Sequence, residues 1–128
     1  MLIDSDVLVW LTRGHAGAAE RLRQVNPWRI SAVTYIELAQ GCRNKAELER
    51  LKKGLAQRGT QIIAITQAIS ERAMQLIDQY TLSAGLQLGD ALIAATALEH
   101  RLPLLTGNSK HFTPIAELTV EKFAIVPA

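Results

Sequence analysis

Cysteine occurs once in the 128 residues, at Cys42. No intramolecular disulfide and no cysteine-rich zinc site can form, and nothing ties the chain to an oxidising compartment, so a reducing cytoplasm is the expected location. Aromatics are scarce, two each of Trp, Tyr and Phe; base stacking alone cannot then hold a single-stranded nucleic acid. Long apolar runs are missing as well. The most apolar stretch, Ala91 to Leu98, is under half of the ~20 residues a bilayer-crossing helix needs, which excludes a membrane span. The opening Met1-Leu2-Ile3-Asp4 has no basic region ahead of an apolar one, so a secretory leader is not expected.

Charge of one sign is not in large excess, with 14 Lys and Arg against 12 Asp and Glu. Its distribution is uneven: residues 1–58 hold ten basic and six acidic residues, and residues 59–128 hold four and six. If cations neutralise Asp4, Asp6, Glu37 and Asp90, the remaining surface is basic and favours a polyanion. Hydrophobic residues make up 48% and charged residues 20%, the composition of a folded globular domain. No repeat, low-complexity tract or linker divides the chain, and residues 1–128 are read as one domain.

Apolar Met1-Leu2-Ile3, then the capping types Asp4-Ser5-Asp6, then Val7 to Leu11 read as a buried strand, a turn and a helix beginning near Ser5. Ala18, Leu22 and Val25 share a helical face that Asn26-Pro27 ends, Trp28 to Ala32 is strand-like, and Thr34 can cap a helix reaching Gly41. Leu48, Leu51 and Leu55 mark an amphipathic helix with a basic outer face, closed by Gly59. A strand over Gln61 to Ile65 and a helix through Ile69, Ala73, Ile77 and Tyr80 follow. Ser83 to Gly89 reads as a flexible connection into Asp90 to Leu98, a helix apolar nearly all round and therefore central. Pro103 to Thr106 is a strand, Gly107-Asn108 a turn and Val120 to Val126 a last strand. Helices alternating with strands that lack period-2 alternation predict a mainly parallel sheet covered on both faces, a three-layer α/β/α sandwich.

Ligands of open parallel sheets bind beyond the carboxyl ends of the strands, and that edge is where the acids map. Asp4 ends the first strand, Glu37 lies in the helix after the second, Asp90 opens the apolar helix, and Thr106-Gly107-Asn108 ends a later strand. Glu37 sits among apolar neighbours and is expected to point inward. Each acid also has a plain structural reading: Asp4 and Asp6 as helix caps, Asp90 as a first-turn acid favoured by the helix dipole, Glu37 as a surface residue. Several carboxylates at one edge repel one another at low effective dielectric, by several kcal/mol each. A divalent cation removes that repulsion. Oxygen-only ligands suit Mg2+ or Mn2+, and such a site activates water for attack at phosphorus without a protein nucleophile.

Four blocks in order resemble the PIN-domain nucleases, and among them the VapC-type toxins of toxin–antitoxin pairs. They are Leu2 to Leu8; Ser31 to Leu38 with Gly41; Gly89 to Ala97; and Leu104 to Asn108 with His111-Phe112. The resemblance covers essentially the whole chain. It implies Mg2+- or Mn2+-dependent endoribonuclease activity, with Asp4, Glu37 and Asp90 as the acidic triad. It also implies a homodimer and a VapB-like antitoxin whose tail fills the acidic groove. Two positions depart from the family pattern. Asp6 stands where Asn is frequent and adds either a ligand charge or a cap, while Asn108 stands where many members have a fourth acid and can still hold a metal-bound water. Ser5 and Thr106 can hydrogen-bond the ligand carboxylates or phosphate.

Other residues have bland readings. His111 contacts RNA phosphate or, more simply, packs or caps; His15 and His100 read as surface residues, Trp10 and Trp28 as core or dimer contacts, and Cys42 as inert. The basic run Arg43, Lys45, Arg50, Lys52, Lys53 and Arg58 tracks an RNA backbone or is a solvated helix face. Two rival functions stay open. Asp4-Ser5-Asp6 also resembles the first motif of haloacid-dehalogenase-like phosphatases, with Asp4 as nucleophile and Asp6 as acid/base. That reading requires a lysine shortly before the Gly89-Asp90 pair, and there is none between Arg58 and Arg101. The second rival is a catalytically silent module that binds RNA or an antitoxin.

Overall fold

Leu2 and Ile3 are adjacent and both fully buried, yet they belong to different hydrophobic cores. Successive side chains of a strand point to opposite faces, so both faces of this strand are covered, and that is why its sequence does not alternate. Leu104 and Leu105 divide between the same two cores. The structure, a computed structural model, describes residues 1–124. Strands β1 (Leu2–Ile3), β2 (Arg29–Ser31), β3 (Gln61–Ile63), β4 (Leu104–Thr106) and β5 (Val120–Lys122) form one sheet in the order β3-β2-β1-β4-β5, every pairing parallel. Leu2 is in register with Arg29 on one side and Leu104 on the other.

Among the described residues seven helices cover the sheet: α1 (Ser5–Thr12), α2 (Ala16–Arg23), α3 (Ala32–Gln40), α4 (Lys45–Gln57), α5 (Gln67–Ala84), α6 (Leu88–Glu99) and α7 (Ser109–Phe112). This is the three-layer α/β/α sandwich expected. One core collects Ile69, Leu76, Ile93 and Phe112 with Leu2 and Leu104; the other collects Val7, Leu22, Trp28, Ile30 and Leu55 with Ile3 and Leu105. Helix α6 is central, as its all-round apolar character requires: Ala91 and Ile93 to Ala97 are buried. Trp28 is a core residue, its Nε1–H donating to the Leu22 carbonyl at 3.1 Å.

Several boundaries differ from the sequence reading. Helix α5 runs on through Ser83 and Ala84 to Gly85, whose left-handed φ of 72° closes it; only Gly85 to Gln87 joins it to α6. Helix α2 stops at Arg23, leaving Val25 buried just beyond it. Helix α7 is too short to give a periodic signal. Strand β5 ends at Lys122, and residues 125 and 126 of the expected strand lie outside the described residues. His15 is not a simple surface residue. Its Nδ1 accepts from Ala18 N at 3.0 Å to cap α2, and its ring packs edge-on against Trp10 and Phe123.

The cap of α3 is Ser31, whose Oγ accepts from Val33 N at 3.1 Å, and not Thr34. Thr34 lies one turn further on, fully buried, with a hydroxyl that has no hydrogen-bond partner. A buried hydroxyl in that state destabilises, and valine has the same shape without it. Thr34→Val should therefore stabilise the protein by about 1 kcal/mol, read as a higher urea midpoint at unchanged slope.

Candidate acidic active site

The order in which successive strands are laid down reverses at β1, since β2 and β3 lie to one side of it and β4 and β5 to the other. A crevice opens at the carboxyl ends of strands at such a switch point. Asp4 leaves β1 there and Thr106 ends β4, and the Thr106 hydroxyl donates to Asp4 Oδ2 at 2.7 Å across 102 residues of sequence. Asn108 N–H donates in turn to Thr106 Oγ1 at 3.0 Å, which directs the single hydroxyl proton of Thr106 at Asp4.

The second oxygen of Asp4 caps α1, accepting from Ser5 N at 2.8 Å. Ser5 Oγ lies 3.4 Å from that oxygen and 3.2 Å from Glu37 Oε1, so its single proton is within reach of either carboxylate. Glu37 is exposed rather than inward-facing. Its place in α3 leaves the carboxyl at the rim of the crevice, where a Cβ on Gly89 would stand 3.5 Å from Glu37 Oε2. On the other side Asp90, in the first turn of α6, accepts at Oδ2 from Gln87 N at 3.3 Å and stands 2.9 Å from His111 Nδ1. Asn108 Nδ2 is 3.2 Å from the same ring nitrogen. Glu37, Ser5, Asp4, Thr106, Asn108, His111 and Asp90 thus form one continuous chain of polar contacts.

Asp6 joins from below, its Oδ2 accepting from Gly107 N at 2.9 Å while its Oδ1 is buried with no partner. Burial first, and the neighbouring Asp6 second, push the Asp4 carboxyl up to about 7, against hydrogen bonds from Thr106 and Ser5 that act the other way. Asp6 is raised too, again chiefly by burial, and Asp90 adds to the repulsion felt by both. Among the described residues no Lys or Arg forms an ion pair with any of the four acids. Nor does any group of three His, Cys, Asp or Glu side chains there stand ready-formed to hold a metal ion; serine, threonine and histidine side chains lie between the acids instead.

Asp4 and Asp90 have the structural roles expected of them, Asp4 as the cap of α1 and Asp90 in the first-turn capping box of α6. His111, read from sequence as a packing or capping residue, is in contact with Asp90. Its separation of 21 residues from Asp90 leaves no local signal of that pairing. A groove of roughly 830 Å3 opens beside Glu37, lined by Arg13, Leu38, Arg43, Cys42 and Arg50 among others. Arg43 is engaged by Glu47, whose carboxyl it holds well below the usual range, and Arg58 lies over the Trp28 ring. The basic run is therefore part groove wall and part solvated face.

Residues 1–118 match the family described as PIN domain. Ribonuclease VapC10 of Mycobacterium tuberculosis is 38% identical over 98% of this chain and 94% of its own length. A solved toxin–antitoxin complex from Klebsiella pneumoniae superposes with a TM-score of 0.80 at 32% identity, covering 95% of this chain and 98% of that one. VapBC-1 from nontypeable Haemophilus influenzae gives 0.76 at 25% identity over 94% and 96%.

Proposed function

The chain belongs to the PIN-domain family, and from that premise we propose that it is a divalent-cation-dependent endoribonuclease, the toxin of a toxin–antitoxin pair. The observation that carries this reading is the gathering of Asp4, Asp6, Glu37 and Asp90 at the switch point with no Lys or Arg among the described residues paired with them. Such a cluster fits a hard cation. Its donors are all carboxylate oxygens, the set preferred by Mg2+ and Mn2+, and the unpartnered Asp6 Oδ1 is a buried atom that positive charge would satisfy. Asp4, Glu37 and Asp90 would hold the ion, with Asp6 as a further acid. Bound there, Mg2+ or Mn2+ supplies water activation and charge neutralisation at the scissile phosphate.

The rest falls to the chain's own side chains. Thr106 fixes the Asp4 carboxylate by one oxygen, and the Ser5 hydroxyl donates to Glu37 or Asp4 between the two. Asn108, standing where a fourth acid is frequent in the family, contributes an amide in place of a charge. The arginine-lined groove beside Glu37 offers the RNA backbone a path to the acids. An antitoxin partner is supported by the toxin–antitoxin complexes among similar structures, and a homodimer by the exposed apolar side chains Ile36, Leu82 and Leu88. Family membership sets aside the phosphatase alternative.

The test is incubation of antitoxin-free protein with total tRNA and rRNA under Mg2+, Mn2+ or EDTA, with Asp90→Asn beside the wild type. Cleavage should need the metal, disappear in the variant and stop on addition of the antitoxin; the protein should have twice the 14.0 kDa chain mass by light scattering. Equal inactivity of both proteins with every RNA and metal would favour the silent binding module.

A further inference from the structure

His111 is the one residue of the polar chain that the functional reading leaves without a task. It projects from α7, whose next residue, Phe112, is fully buried in the core shared with α6, so the ring is held over the start of α6 from a fixed base. Its Nδ1 lies 2.9 Å from Asp90 Oδ2. A carboxylate only accepts, so Nδ1 must carry a proton. A protonated Nδ1 cannot also accept from the Asn108 amide 3.2 Å away. Amide nitrogen and oxygen are interchangeable at that position, and consistency requires the Asn108 oxygen to face the ring.

We propose that His111 is a positioning residue: through Nδ1–H it holds Asp90 by Oδ2. Resting on the cation-dependent reading above, this assigns the two oxygens of Asp90 separate tasks. Both of its hydrogen bonds fall on Oδ2, which leaves Oδ1 to the cation.

Three variants separate this role from packing. In His111→Asn the amide nitrogen sits where Nδ1 does; in His111→Gln it sits where Nε2 does; His111→Ala has neither. Mn2+ binding, followed by electron paramagnetic resonance or calorimetry without RNA, should weaken about tenfold in the Gln and Ala variants, the usual effect of losing a group that orients a metal ligand. His111→Asn should stay within about twofold of wild type. Nitrogen-15 spectra of the metal-free wild type should show a protonated Nδ1, and Asp90→Ala should abolish that preference. Equal Mn2+ affinity in all three variants, or an unprotonated Nδ1, would overturn the proposal. Failure of the wild type to bind Mn2+ would instead sink the cation-dependent reading, and the nitrogen spectra would still decide the His111–Asp90 bond.

Discussion

Asp4→Asn should abolish RNA cleavage and, in EDTA at pH 8, leave the protein more stable than the wild type. Two consequences of one buried carboxyl pull in opposite directions. Asp4 is the acid placed deepest at the switch point, 6% exposed, and loss of its charge should lower cleavage at least about 100-fold, as loss of a metal-site group does. Its carboxyl is raised from 3.8 to about 7, so the folded protein binds this proton more tightly than the unfolded chain. Stability of the metal-free wild type therefore falls as pH rises from about 4 to about 7 and is fully reduced above that, by a ceiling of about 4 kcal/mol. Asparagine does not ionise and remains a good helix cap. The variant's melting temperature in EDTA should exceed that of the wild type at pH 8, and the gap should close towards pH 4. Mn2+ should then stabilise the wild type and do little for the variant. A variant less stable than wild type at pH 8 would mean that the hydrogen bond from Thr106 to Asp4 Oδ2 outweighs the cost of burying the charge.

Phe112→Ala should cost about 3–5 kcal/mol, the largest stability loss expected from any change near the site. Phe112 is fully buried in the core shared by α5, α6 and β4, and it is the anchor of a helix only four residues long. So short a helix has no stability of its own. Losing the anchor releases the Asn108 and His111 side chains together, and the polar chain breaks between Thr106 and Asp90. Phe112→Leu, which keeps most of the volume, should lose far less. Urea denaturation gives the energies, and Mn2+ affinity of whatever Phe112→Ala remains folded gives the effect on the site.

Much of this was legible along the chain. Doubly buried strands, an acid directly after the first strand and a helix apolar on every side are local patterns, and they gave the sandwich, the place of Asp4 and the central position of α6. Register across the sheet is not local. The bond from Gly107 N to Asp6 spans 101 residues, and nothing around either residue announces it. Glu37 was expected to face inward because its neighbours are apolar, yet Tyr35 and Leu38 reach one core and Val33 the other; Glu37 is left at the rim between them. The contact of His111 is hidden for the same reason, since its partner is set by how α7 docks on α6. Thr34 has capping chemistry, but Ser31 reached the helix start first and the threonine was carried inside.

The order of the strands also governs when the site can exist. Strand β1 is made first and lies at the centre of the sheet, yet one of its two neighbours, β4, begins only at Leu104. Asp4 and Asp6 consequently wait for Thr106 and Gly107 before they have their partners. In a chain made from its amino end these carboxylates precede their partners by about a hundred residues and stay unassembled until β4 has been made. A chain ending before β4 would carry these acids without the partners that hold them.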